Sequence, residues 1–426
     1  MMGFLSGVKP DHNRKPFYPY HITYQNIKTY TKPALNHSGG PNHMDFSLSK
    51  PQKEIQKAAW EFAKGEFDKE QIMEWSKEQK FPEALIKKSG ALGFIGIHFP
   101  EDMDGGGMGL LENVLVGEAF CKKDSTLGAA LMFTGYASEC ILRFGDENLK
   151  AKFLPPLLNG RMISTGAFSE PNQGEDIRQI RTNAVKNGDN WQITGRKTFV
   201  PFGGTAGFYV VLCSTEPNAG PGQGMSLILV ESDRKGIMAA SPLQKLGGRL
   251  MPFSDVSFDQ VTVPESHLIG TQGNGYHLVQ TFFTENRIQI AGLALGTAQG
   301  AFDRALDYVR QREQFGKKLA AFQVTRHKLA SMASKIEATR FLTYYAAWCF
   351  DNKKLEPRHA SMAKMTAART AVEVADEAIQ LLGGYGYMTE YEVEHFYRDA
   401  KQAEIFQGPP SVQKDIIADA LIGKLK

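Results

Sequence analysis

The chain has 426 residues, 42% of them hydrophobic and 22% charged, the usage of a globular protein rather than a fibrous or disordered one. Its 49 Lys and Arg stand against 46 Asp and Glu, a formal charge of +3 that is too even for a dedicated nucleic-acid binder. The longest apolar stretches, such as residues 208–213, fall far short of the roughly 20 residues that cross a bilayer, so no membrane span is predicted. At about 150 residues per domain, two or three domains are expected. The four cysteines (Cys121, Cys140, Cys213 and Cys349) form no CxxC pair. That pattern reads as a reduced protein without a cysteine-based metal site, cytoplasmic or, in a eukaryote, of the mitochondrial matrix.

Residues 1–43 carry Lys9, Arg14, Lys15, Lys28 and Lys32 against the single acid Asp11, and their prolines break any regular apolar period. A disordered extension, tag or upstream start is expected, since a transit peptide would be richer in Arg and Ser. Met44 looks like a start in its own right.

Residues 44–163 read as a helical domain. Ile55, Ala59, Phe62 and Ala63 share one helical face, and Ser49 ahead of Pro51 is placed to cap the first turn. A break at 104–107, Asp-Gly-Gly-Gly, interrupts it. Residues 164–272 change to β-type patterning: Trp191 and Ile193 alternate with polar neighbours, 208–212 and 226–230 are short apolar runs, and Val256, Phe258, Val261 and Val263 continue the pattern. A small barrel or sandwich is predicted. Residues 273–426 return to helices: Met362, Met365, Ala368, Val372, Ala375, Ile379 and Leu382 form an apolar stripe, read as core filler, and Leu329, Met332 and Ile336 form another. Gly292, Ala294, Gly296, Ala298, Gly300 and Ala301 make a small-residue helix suited to close packing. The expected fold is α+β: an N-terminal helical domain, a β-domain and a C-terminal four-helix bundle.

The usual signatures are missing. There is no GxGxxG after a strand, no GxxxxGK[ST], no HExxH and no GxSxG, and the ten His are dispersed.

Four segments nevertheless carry a resemblance. Residues 95–107 (IGIHFPEDMDGGG), 167–176 (AFSEPNQGED), 310–323 (RQREQFGKKLAAFQ) and 379–401 (IQLLGGYGYMTEYEVEHFYRDAK) are similar, in order, to the motifs of the acyl-CoA dehydrogenase family. The resemblance implies FAD as cofactor, an acyl-CoA substrate, a homotetramer and an electron-transferring flavoprotein as acceptor. In that family a carboxylate removes the α-proton while the β-hydrogen passes as hydride to the flavin, which demands strict alignment and stabilisation of charge on the thioester oxygen.

By motif position, Phe168, Ser169, Phe199 and Pro201 would line the isoalloxazine, with Phe199 and Pro201 standing where Trp and a hydroxyl residue are usual. Arg312, Phe315 and Gln323 would reach FAD across a subunit interface, and Gln380, Gly383 and Gly384 would approach its diphosphate. Glu175, Asn286, Arg287 and Gly408 fall on the substrate side. The departure is at Gln407, where the family has its catalytic Glu. A carboxamide is no general base at neutral pH, although its backbone N–H remains available to the thioester oxygen. Asn286 occupies the alternative base position of some relatives, and Pro409 removes a hydroxyl that often holds the flavin. Glu285 is then the remaining carboxylate candidate on that helix, with Glu139 and Cys140 as further pocket residues. Two functions follow: a dehydrogenase for a cyclic or branched acyl-CoA with an unusually placed base, or a silent FAD- and acyl-CoA-binding subunit.

Overall fold

The computed structural model describes residues 46–171, 173–174 and 176–423; the N-terminal extension and Glu175 lie outside them. Helix α1 (Lys50–Glu66) starts at a reciprocal cap: Ser49 Oγ accepts from Gln52 N, and Gln52 Oε1 accepts from Ser49 N at 2.9 Å. Its Ile55, Ala59, Phe62 and Ala63 are buried, as the periodicity requires. Helices α2 (Lys69–Glu78) and α3 (Glu83–Ala91) follow. The glycine break then folds back on the segment carrying His98, through Gly107 N to Phe99 O at 2.7 Å and Met108 N to Ile97 O at 3.0 Å. A Cβ on Gly105 would sit 2.3 Å from Phe99 O, so this turn closes only with glycine.

Helix α4 (Leu110–Lys123) is buried along most of its length. Its first N–H groups are capped from a distant element, Asp351 Oδ1 and Oδ2 accepting from Leu110 N and Leu111 N at 2.7 and 3.0 Å. Helices α5 (Ser125–Met132), α6 (Ser138–Phe144) and α7 (Glu147–Leu158) complete the zone. Tyr136 lies in the short link between α5 and α6.

The middle zone is one eight-stranded sheet with order β6-β7-β3-β2-β4-β5-β8 and β1 paired in parallel with β4. The strands are β1 (Ser164–Ala167), β2 (Asn183–Asn187), β3 (Asn190–Pro201), β4 (Phe208–Ser214), β5 (Met225–Glu231), β6 (Ile237–Ala239), β7 (Phe253–Pro264) and β8 (Leu268–Ile269). Trp191 and Ile193 bury alternate positions of β3, whereas β4 and β5 are buried almost residue by residue. That continuous burial follows from helices covering the sheet; Phe153 of α7 stacks edge-on against Phe208 at 5.1 Å.

Helix α8 (Gly275–Gln311) runs 37 residues. Cβ atoms on Gly296 and Gly300 would lie 2.3 and 2.4 Å from the carbonyl oxygens of Glu118 and Lys122, so the small-residue stretch lets α4 lie flush against α8. A hairpin, β9 (Glu313–Gln314) and β10 (Lys317–Lys318), leads to α9 (Gln323–Asp351), α10 (Pro357–Leu382), α11 (Val393–Ile405) and α12 (Pro410–Ile422). The predicted stripe of α10 is buried at Ala368, Ala375 and Leu382 but not at its other members. Met362, Met365, Val372 and Ile379 are only half-buried, and the fully covered face is Ala360, Ala363, Ala367, Ala371, Val374 and Ala378. Close approach to α8 selects the small side chains and leaves the larger ones on the flank. Among the described residues no helix is long and apolar enough to cross a membrane.

Candidate active site

The turn joining α11 to α12 holds Gln407 at φ 57° and Gly408 at φ 94°. A left-handed glutamine costs about 1–2 kcal/mol, so its surroundings must hold it. They do. Gln413 Nε2 donates to the Gln407 and Gly408 carbonyls, both at 2.9 Å, Lys364 Nζ donates to Gly408 O at 2.7 Å, and Arg287 Nε reaches Gln407 O at 3.3 Å. Among the described residues, no protein acceptor takes the Gln407 backbone N–H.

The Gln407 side chain is buried and opens a directional chain of hydrogen bonds. Its Nε2 donates to Tyr136 Oη at 2.6 Å and to Asn286 Oδ1 at 3.1 Å. Asn286 Nδ2 donates to Gln289 Oε1 at 2.6 Å, and Gln289 Nε2 donates to Glu139 Oε1 at 2.9 Å. Every amide is oriented by a chain that ends on an acceptor-only carboxylate. A glutamine therefore belongs at position 407; a carboxylate there would face the Asn286 oxygen.

Tyr136 accepts from Gln407, so its own O–H proton is directed elsewhere. Its ring sits among Phe133, Phe168, Phe282 and Phe406, with centroids 5.3–6.1 Å away. Burial pushes its phenol well above the ordinary 10, against the weaker pull of the Gln407 amide. It also lines a cleft with His98, Asn113, Ser138, Glu139, Asn286 and Gln289, closed by Phe94, Phe99, Leu157 and Leu158. Cys140 is fully buried and outside that lining.

Glu285 points away from the turn and forms a bidentate ion pair with Arg143, at 2.6 Å in both contacts. Burial outweighs the pull of Arg143 and leaves its carboxyl above the ordinary value, while the two hydrogen bonds tie it to that guanidinium. Arg287, predicted to face substrate, is itself buried behind the Gln407 turn. Burial lowers its guanidinium to about 10, so it stays charged at neutral pH, and among the described residues it makes no ion pair.

The two segments expected to line the flavin meet. Thr198 N donates to Ser169 O at 2.9 Å, and the buried Lys197 Nζ donates to Phe168 O at 3.1 Å and Glu170 Oε1 at 2.9 Å. Glu170 also accepts from Arg181 N and Thr182 N at 2.7 and 2.8 Å. A register shift in the β3–β7 pairing then carries Phe199 at φ 54°, its ring 61% exposed, while Pro201 is buried. An aromatic face held outward by unfavourable backbone beside Phe168 and Ser169 fits an isoalloxazine. Arg312, Phe315, Gln323, Gln380, Gly383 and Gly384 form a second, exposed group. Arg312 lies 5.4 Å from the Tyr385 ring, Phe315 is 92% exposed, and added Cβ atoms on Gly383 and Gly384 would meet nothing within 4 Å. An open glycine turn beside an exposed guanidinium fits a diphosphate. Pro409 caps α12 and offers no hydroxyl.

The motifs pointed to Gln407, Asn286 and the flavin segments. They gave no sign of Tyr136 or Gln289, which lie in a link and on a helix face outside any signature; His98 falls inside the 95–107 segment but nothing in that pattern singled it out.

Comparison with known proteins accounts for the whole described fold. Family models match in order: acyl-CoA dehydrogenase N-terminal domain over residues 49–161, middle domain over 165–261 and C-terminal domain over 273–422. The chain belongs to the acyl-CoA dehydrogenase family, FAD-dependent oxidoreductases of acyl-CoA thioesters. An acyl-CoA dehydrogenase of Bacillus subtilis is 36% identical over 378 residues, 88% of this chain and 99% of that protein. The caffeyl-CoA reductase-Etf complex subunit CarC of Acetobacterium woodii is 33% identical over 88% of this chain and 100% of its own length. The butyryl-CoA dehydrogenase structure from Megasphaera elsdenii superposes with TM-score 0.85 at 33% identity, covering 89% of this chain and 100% of that one.

Proposed function

We propose that the protein transfers hydrogen across the Cα–Cβ bond of an acyl-CoA thioester, and that Tyr136 rather than a carboxylate at position 407 handles the α-proton. The observation that carries this reading is the 2.6 Å contact between Gln407 Nε2 and Tyr136 Oη, which brings a phenol beside the side chain that stands at the family's base position. FAD, when bound, exchanges the β-hydrogen as hydride. The protein's own part is orientation and charge. The free Gln407 N–H donates to the thioester oxygen, while Arg287 and Gln413 hold that peptide in its left-handed turn. The aromatic ring of Phe168 and the cage around Tyr136 exclude water from the reacting carbons. Arg287, charged and without a carboxylate, supplies positive potential on the CoA side. A cyclic or branched acyl group, which presents its α-proton from another direction, is the expected oxidative substrate.

The direction of reaction has a second reading with its own support. A phenol that stays protonated at neutral pH gives a proton more readily than it takes one, which suits reduction of an α,β-unsaturated thioester. A relative named caffeyl-CoA reductase subunit is consistent with that direction, and its Etf partner makes an electron-transferring flavoprotein the proposed redox partner here. The exposure of Arg312, Phe315 and the Gly383–Gly384 turn supports a homotetramer in which one copy supplies Arg312 and Gly383 to another. The test is anaerobic mixing of the flavinated protein with straight, branched and cyclic acyl-CoAs, and of its reduced form with the matching enoyl-CoAs. Flavin bleaching or reoxidation with any of them is expected. Silence throughout, with FAD bound, would make the protein a non-catalytic subunit.

A further inference from the structure

The cleft that Tyr136 lines also carries polar side chains, which is unexpected for a pocket meant for hydrocarbon. Glu139 and His98 both line it, and both are nearly inaccessible, with side chains 6% exposed. One oxygen of Glu139 is used by Gln289; the other, Oε2, is buried and has no hydrogen-bond partner. Asn113 Nδ2 faces His98 Nδ1 at 3.2 Å, so with Asn113 presenting its amide N–H the imidazole proton resides on Nε2. That Nε2 lies 3.5 Å from Glu139 Oε1 and 3.9 Å from Glu285 Oε1, close enough for attraction between the groups, but it is buried and among the described residues makes no hydrogen bond.

Two unmet groups of opposite character in one small buried space are a costly arrangement. Each unsatisfied buried polar atom forfeits the hydrogen bonds it would make to water. Burial pushes the Glu139 carboxyl up, but His98 and Gln289 outweigh this and hold it below the ordinary value, so it remains an acceptor. Of the charged groups, the Glu139 carboxylate lines the space with the His98 imidazole; Glu285 lies behind His98 at 3.9 Å and is paired with Arg143. What remains is one acceptor and one N–H donor. A methyl satisfies neither. An ammonium satisfies Glu139 but opposes the His98 N–H. A hydroxyl donates to the one and accepts from the other.

We infer that the polar part of the acyl cleft, lined by Glu139 and His98, is a hydroxyl-binding site, and that the preferred thioesters carry a hydroxyl on the acyl group. This rests on the acyl-CoA reading of the cleft given above. A polar lining selects strongly because the thioester lacking the hydroxyl strands both groups.

The probes are ω-hydroxyacyl-CoAs of increasing length, each paired with the alkyl thioester of the same size and with the ω-amino analogue. Binding to the flavinated protein is followed by calorimetry, so the readout does not depend on turnover. At one chain length the hydroxy thioester is expected to bind at least tenfold more tightly than its alkyl partner, and more tightly than the amine. Glu139→Leu is expected to bring the hydroxy-to-alkyl ratio close to one. Equal binding by the native protein at every length, the result if a water fills the site, overturns the inference alone, and the native comparison needs no variant to fold. Tighter binding of the amine overturns the hydroxyl assignment. Binding of none of the thioesters overturns the acyl-CoA reading together with it.

Discussion

At the scale of single residues, position 407 decides how the chemistry must differ from that of a carboxylate enzyme. A glutamine is wired into the site by two donated bonds, and the amide chain behind it is oriented to match. Gln407→Glu adds a carboxylate beside the reacting carbons. It is expected to raise oxidation of short straight-chain acyl-CoAs by about 10²-fold or more, the usual worth of a positioned base, measured as the rate of flavin bleaching. An unchanged rate would mean that the cleft is closed to such chains. The phenol gives a pH signature with a definite sign. Because burial raises the Tyr136 pKa above 10, the protonated form persists through neutral pH. Reductive turnover should stay level to the ordinary tyrosine range and fall only above it. Oxidation, needing the phenolate, should climb by about tenfold per pH unit between pH 7 and 10 without levelling. A plateau near neutrality would assign the proton to another group. Gln407 was legible in the sequence because a motif surrounds it. Tyr136 was not, since its partner lies 271 residues away and no local pattern marks it.

At the scale of elements, the site depends on how segments are tied. The Lys197–Glu170 pair joins β3 to the loop after β1, with both side chains almost wholly buried, and thereby fixes Phe168 and Ser169 against Thr198. Removing one member strands the other. Lys197→Met is expected to cost about 3–5 kcal/mol of stability and to lower flavin content, measured by urea unfolding and by the absorbance ratio of flavin to protein. An unchanged midpoint with full flavin would show the pair to be incidental. Helix α1 was legible to its cap because Ser49, Pro51 and Gln52 are local signals. The buried face of α10 was not: hydrophobicity favoured Met362 and Met365, whereas the closeness of α8, a tertiary fact, favoured alanines.

At the scale of the molecule, the α+β order of helices, sheet and helices was visible in the periodicities, and a single motif of uncertain weight became decisive when four occurred in order. The lateral ties between zones were not visible. Asp399 binds Ser125 Oγ at 2.6 Å and Gly248 N at 2.7 Å, joining α11 to α5 and to the loop before β7, yet nothing in its neighbours' sequence announces those partners. The exposed group around Arg312 carries the assembly claim: Arg312→Ala is expected to lose FAD and to weaken the oligomer, read together by flavin content and sedimentation. A fully flavinated, unchanged oligomer would contradict the shared site. The most direct test of the whole account is exchange of the α-hydrogen of a bound saturated acyl-CoA with D₂O, followed by mass spectrometry in the native protein, Gln407→Ala and Tyr136→Phe. Exchange should persist in the native protein and in Gln407→Ala, and drop by about 10²-fold or more in Tyr136→Phe with flavin content unchanged. Native-rate exchange in Tyr136→Phe would contradict it.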